Sequence, residues 1–159
     1  MIRTLTRTVA VFAIAGTATL ALAGSHGGDL PASVKARKAH MQLYGYNIGV
    51  LAGMARGNMD YDAAMATTAA SNIAALSSMD IARYWEEGTD SDTLVESRAL
   101  PAIWENLDDV AAKNTALHEA ATAAAASAGD GLEAVQAGVG AIGKACGACH
   151  EDYQLPKDG

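Results

Sequence analysis

The chain has 159 residues, half of them hydrophobic but only 5% aromatic, with 36 Ala, 16 Gly and 3 Pro. That length fits one domain, and 11 Lys and Arg against 18 Asp and Glu, a formal net charge of −7, exclude a nucleic-acid or anionic-membrane binder. Two Cys exclude a disulfide-rich scaffold, and the apolar content excludes a disordered chain. Ala is the strongest helix former and no Pro lies between Pro31 and Pro101, so the pattern is all-α. A helical core built mainly of Ala is short of large apolar groups.

Residues 1–23 read as a cleaved secretory signal peptide. Arg3 and Arg7 precede the apolar run from Val9 to Ala23, which ends in Ala21-Leu22-Ala23, small residues at both positions a signal peptidase reads. The run is shorter than the ~20 apolar residues of a bilayer span, so the mature protein is expected to have no membrane segment. Cleavage leaves 9 Lys and Arg against 18 Asp and Glu, a net charge of −9. The expected destination is an oxidising space, a bacterial periplasm. Residues 24–30 then form a flexible leader, and residues 31–159 a single domain.

Four helical patterns fill that domain. The first runs from about Pro31 to Arg56, with Pro31 suited to a first helical position and Gly57-Asn58 to a stop. Its apolar stripe is Val34, Met41, Tyr44, Ile48, Leu51 and Ala55. The second runs from about Tyr61 to Ser77 behind Asp60 as N-cap, with Ala64, Met65, Ala69, Ile73 and Leu76 facing inward. Met79 to Ala99 is polar and long for a connection, and such loops pack on something or carry function. The third helix spans about Leu100 to Ala128. The fourth opens at Asp130, with Glu133 completing a capping box, and continues to about Tyr153. Its stripe, Leu132, Val135, Val139, Ile142, Cys146, Cys149 and Tyr153, alternates steps of three and four, the seam a bundle buries. An antiparallel four-helix bundle is the expected architecture.

Residues 146–150 read Cys-Gly-Ala-Cys-His, the attachment motif of a c-type haem. Cys146 and Cys149 lie three apart on one helix face, so both thiols can form thioethers with one porphyrin. His150, four residues after Cys146, can reach the iron from the same side. Other chemistries use these residue types. A thioredoxin-like pair needs a neighbouring βαβ unit, and no strand pattern is present. Zinc needs a fourth ligand, for which His40 or His118 would have to serve. A disulfide is strained across this spacing within a helix.

The sequence resembles class II cytochromes c, the cytochrome c-prime family, over essentially all of the mature chain. The resemblance rests on Arg37-x-x-x-Met41-x-x-x-Gly45, on Trp85-x-x-Gly88-Thr89, on Ile103-Trp104 with Asp108-Asp109, and on Ile142 through Tyr153. It implies an exported four-helix bundle with one covalent haem c near the C-terminus of the last helix. It further implies that Met41 faces the distal side of the haem and that Arg37 meets a haem propionate. In one branch a Met at that position ligates the iron, and the protein is a low-spin electron carrier. In the other the iron stays five-coordinate and binds nitric oxide or carbon monoxide.

Met41-Gln42-Leu43-Tyr44-Gly45 resembles the low-spin branch, so one-electron transfer with periplasmic redox partners is the expectation, not catalysis. A peroxidase would need a distal acid–base group, and neither His40 nor His118 is placed for it. Homodimers are common in the family, formed through the first two helices. Gln154 stands where the family carries a basic residue, a departure from a charged proximal pocket. A porphyrin would also supply the missing apolar body, with Ala side chains leaving room for it.

Overall fold

The computed structural model describes residues 30–156, so the expected signal peptide and almost all of the leader lie outside the described residues. The described chain is helical: α1 (Ala32–Ala55), α2 (Ala63–Ser77), a short α3 (Ala102–Glu105), α4 (Leu107–Ser127) and α5 (Leu132–Tyr153). The four long helices pack in the cyclic order α1, α2, α4, α5, each against its two neighbours. Single 3-10 turns stand at Ala82–Tyr84 and Ala128–Asp130. No helix among the described residues is long and apolar enough to cross a membrane.

Helix ends follow local chemistry. α1 stops where Gly57 takes φ 71°, and the Asn58 and Gly57 N–H groups return to the Gly53 and Met54 carbonyls at 2.9 and 3.0 Å. The N-cap of α2 is Asp62, not Asp60: its carboxylate accepts from the Met65 N–H at 2.7 Å. The expected third helix is broken at Asn106, whose φ of −137° and ψ of 41° leave the helical region and separate α3 from α4. The capping box at Asp130 does not form either. Ala128–Asp130 tightens into the 3-10 turn, and Gly131 at φ 132° redirects the chain into α5 without a side-chain cap.

Two apolar clusters hold the bundle. The larger joins Tyr44, Leu51 and Met54 of α1 to Ile73, Leu117, Val135 and Ile142, with Ala66, Ala69, Ala70, Ala121, Ala124 and Ala128 filling the layer between α2 and α4. Between α2 and α4 the small Ala side chains let the two helices pack against each other. A Cβ built on Gly138 would stand 2.9 Å from the Ala124 Cβ, which shows how closely α5 approaches α4 there. The smaller cluster is Ile103, Val110 and Tyr153, flanked by Trp85, Trp104 and Cys149.

The inward face of α1 differs from the expected stripe. It runs Val34, Arg37, His40, Tyr44, Asn47, Leu51 and Met54, while Met41 is 42% exposed. The cause is polar burial. Arg37, His40 and Asn47 find hydrogen-bond partners inside, so the buried face keeps Val34, Tyr44 and Leu51 of the apolar count but turns toward these polar residues and away from Met41.

Candidate haem-attachment site

The last two turns of α5 carry the candidate chemistry. Cys146 and Cys149 are both free thiols and half-buried. Cys146 packs on the large cluster and Cys149 on the small one, so the pair straddles the boundary between the two cores. Desolvation raises both thiol pKa values above the ordinary 9.0, which keeps them protonated at neutral pH. The donor set fits a c-type haem: two thiols on one helix face beside apolar surface, followed by an imidazole. Burial, then the positive charge of Arg98, lowers the His150 pKa, leaving the neutral ring that metal ligation requires. Zinc finds less support, since among the described residues no three His, Cys, Asp or Glu side chains converge as a metal site.

α1 runs antiparallel beside α5, and two contacts set the register. Gln136 Nε2 donates to the Ala55 carbonyl at 3.0 Å. Tyr44 and Cys146 share the large cluster, and Cys146 adds to the burial that pushes the Tyr44 phenol well above its ordinary range. Extended by this antiparallel register, the Met41 position falls level with Cys149 and His150, and the Arg37 position with Tyr153.

Arg37 is only 6% exposed and fastens the long connection between α2 and α3. Its Nη1 donates to the Tyr84 carbonyl at 3.2 Å and Thr89 Oγ1 at 2.9 Å, and its Nη2 to the Thr89 carbonyl and to Ser97 Oγ. The guanidinium also lies 5.7 Å from the Trp85 ring centroid. Four of its five N–H donors are engaged, so Nε–H alone is left for the implied propionate contact. His40 points into the bundle, with Nδ1 3.1 Å from Tyr84 Oη. His118 packs against the end of α2, its Nδ1 3.1 Å from both Ser77 Oγ and the Ala74 carbonyl. Trp85 and Trp104 meet edge to face at 6.2 Å in the small cluster.

Residues that motif reading passes over also converge here. Lys113 reaches from α4 to α5, 2.9 Å from Asp152 and 3.5 Å from Asp109. Arg98 arrives from the loop. Neither has a sequence signal, because each is brought in from another part of the chain.

Comparisons with known proteins identify the fold and the family. The sequence profile of the Cytochrome C' family matches residues 32–154. Cytochrome c-554 of Cereibacter sphaeroides is 40% identical over 121 residues, covering 76% of this chain and 79% of that protein. Cytochrome c' of the same organism is 36% identical over 135 residues, covering 85% and 91%. The solved cytochrome c' from Rhodobacter Spheriodes superposes with a TM-score of 0.75 at 37% identity, over 79% of this chain and 96% of that one. The bundle and the matched residues together show that the chain belongs to the cytochrome c' family, whose members carry covalently attached haem c.

Proposed function

We propose that the protein is an exported, periplasmic electron carrier. Cys146 and Cys149 would hold haem c through thioethers, His150 would ligate the iron on one side, and Met41 on the other. The bound haem supplies a one-electron couple, and the chain's part is to hold it, exclude water and tune its potential. What supports the reading is the antiparallel register of α1 and α5, in which the Met41 position lies level with His150, together with the softness of a thioether ligand, which favours ferrous iron. His40, next to Met41 in sequence, turns inward to Tyr84, which takes it away from the acid–base role a peroxidase would need. A net charge of −9 after signal cleavage suits redox partners with a basic patch. Exposed Leu43 and Tyr46 on α1 and Met65 on α2 would suit a homodimer formed through the first two helices.

A second reading has its own support. Met41 is 42% exposed and not locked by packing, and a cytochrome c prime from Alcaligenes xylosoxidans, 25% identical with a TM-score of 0.66, has been solved in a ferrous variant with NO bound. On that reading the iron is five-coordinate and takes nitric oxide or carbon monoxide.

Ferric optical and electron paramagnetic resonance spectra separate the two. Met41 ligation predicts low-spin iron at neutral pH in the native protein and high-spin iron in Met41→Ala. A high-spin native spectrum overturns the ligation and favours the gas-binding reading, as does prompt carbon monoxide binding to the ferrous form. Acid-acetone extraction of a Cys146→Ala/Cys149→Ala variant should release its haem, and retention would refute the thioethers.

A further inference from the structure

We propose that the two hollows sharing Leu107, at the start of α4, are where the redox partner docks, and that this partner is a protein presenting Lys and Arg side chains around an apolar centre. This rests on the electron-carrier function proposed for the chain.

The apolar cluster that holds Cys149 comes to the surface here. Val110 and Trp85 of that cluster line a hollow of about 290 Å³ between the end of α2 and the start of α4, together with Met79, Ile81 and Leu107. Trp104, from the same cluster, lines a second hollow of about 450 Å³ with Leu107, at the Asn106 break between α3 and α4. Met79 is 49% and Leu107 47% exposed, so two large apolar side chains stand in solvent on the walls. The tryptophans are held in place: Trp104 Nε1 donates to the Trp85 carbonyl at 3.0 Å, and the rings meet edge to face at 6.2 Å. A partner seated on these side chains touches the same cluster as Cys149, which keeps the path to an attached haem short.

The rim selects the partner's charge. Asp80 lines the first hollow and Glu105, Asp108 and Asp109 line the second, and among the described residues no Lys or Arg lines either. Lys113, which adjoins Asp109, is held by Asp109 and Asp152 at 3.5 and 2.9 Å. An apolar centre with a polar rim is the general anatomy of a protein interface. A rim of carboxylates speeds encounter with a basic surface and repels an acidic one. A second copy of this chain would bring the same carboxylates and a net charge of −9 after signal cleavage, so like charges would face each other.

The test uses the haem-loaded protein and, as the probe, a lysine-rich class I cytochrome c. Backbone amide shifts are mapped by heteronuclear NMR as the probe is added, and electron exchange is timed by stopped flow at low and high salt. Shifts should concentrate in residues 79–85 and 104–115. Leu107→Ser should slow second-order exchange severalfold at both salt concentrations. Glu105→Gln/Asp108→Asn should slow it severalfold at low salt and little at high salt. Leu132→Ser and Glu133→Gln, at the far end of α5, should exchange as the native protein does. Shifts concentrated elsewhere overturn the proposal, as do Leu107 and acidic variants at the native rate or controls slowed as much. Shifts of the same residues on concentrating the protein alone would assign the surface to a second copy and overturn it too. Cycling with ascorbate and ferricyanide is recorded first. A protein that cannot be cycled fails as an electron carrier and takes the docking site with it, whereas one that cycles but exchanges no electrons with the probe overturns the docking site alone.

Discussion

The Tyr153 hydroxyl donates to Asp109 Oδ2 at 2.6 Å, tying the last turn of α5 to the first turn of α4 beside the candidate haem site. The bond holds the Asp109 carboxyl below its ordinary 3.8 and, with burial, raises Tyr153 from 10.0 to about 12. Asp109 therefore contributes stability that is present above pH 3.8 and lost as pH falls through its lower folded value. Tyr153 contributes stability that is present below pH 10.0 and lost as pH rises through about 12. Unfolding of Tyr153→Phe against pH should lie below native between those limits and converge with it at both extremes. Parallel curves throughout would show that the bond has no linked proton.

Two glycines of α5 should respond oppositely to alanine. At Gly138 a new Cβ meets the Ala124 Cβ at 2.9 Å, whereas at Gly140 nothing lies within 4 Å. Overpacking costs ~1–3 kcal/mol and offsets the ~1 kcal/mol that helix propensity returns. Gly140→Ala should raise the midpoint of denaturant unfolding and Gly138→Ala should lower it. An Ala124→Gly change should relieve much of the second effect.

Removing Arg37 should loosen the loop before it weakens the bundle. Arg37→Gln strands acceptors at Thr89, Ser97 and Tyr84, with a penalty of ~1–3 kcal/mol for a buried group left unpaired. Amide hydrogen exchange should accelerate across residues 84–97 while α4 and α5 stay protected. Uniform acceleration would instead mark Arg37 as part of the global core.

The N-cap of α2 offers a clean pair. Asp62→Ala removes the acceptor of the Met65 N–H and should cost ~0.5–2 kcal/mol in chemical denaturation. Asp60→Ala should fall near zero, because Asp60 precedes the cap. Equal effects would contradict the cap geometry.

The same contrast shows how far local sequence carries. Asp60 and Asp62 are both good caps, and choosing between them requires knowing where the chain enters the helix. Similarly, the apolar count along α1 selected Met41 over His40. Buried polar side chains are invisible to a hydrophobic periodicity, and the partners that make their burial tolerable, such as Thr89 for Arg37, lie 52 positions away. The break at Asn106 escaped for a related reason. Leu100 to Ala128 is helix-prone throughout, and it is the docking of Leu100 on Tyr153 that sets the first turn apart.

The amino-acid sequence by itself determined the all-α architecture, the seam of α5 and the Cys146, Cys149 and His150 spacing, because each depends on residues within a turn or two of one another. Only the tertiary structure decided which face of α1 is buried, what Arg37 holds and which cations stand at the end of α5. Those features depend on contacts between distant segments, as where Arg98 meets Leu155 across 57 positions.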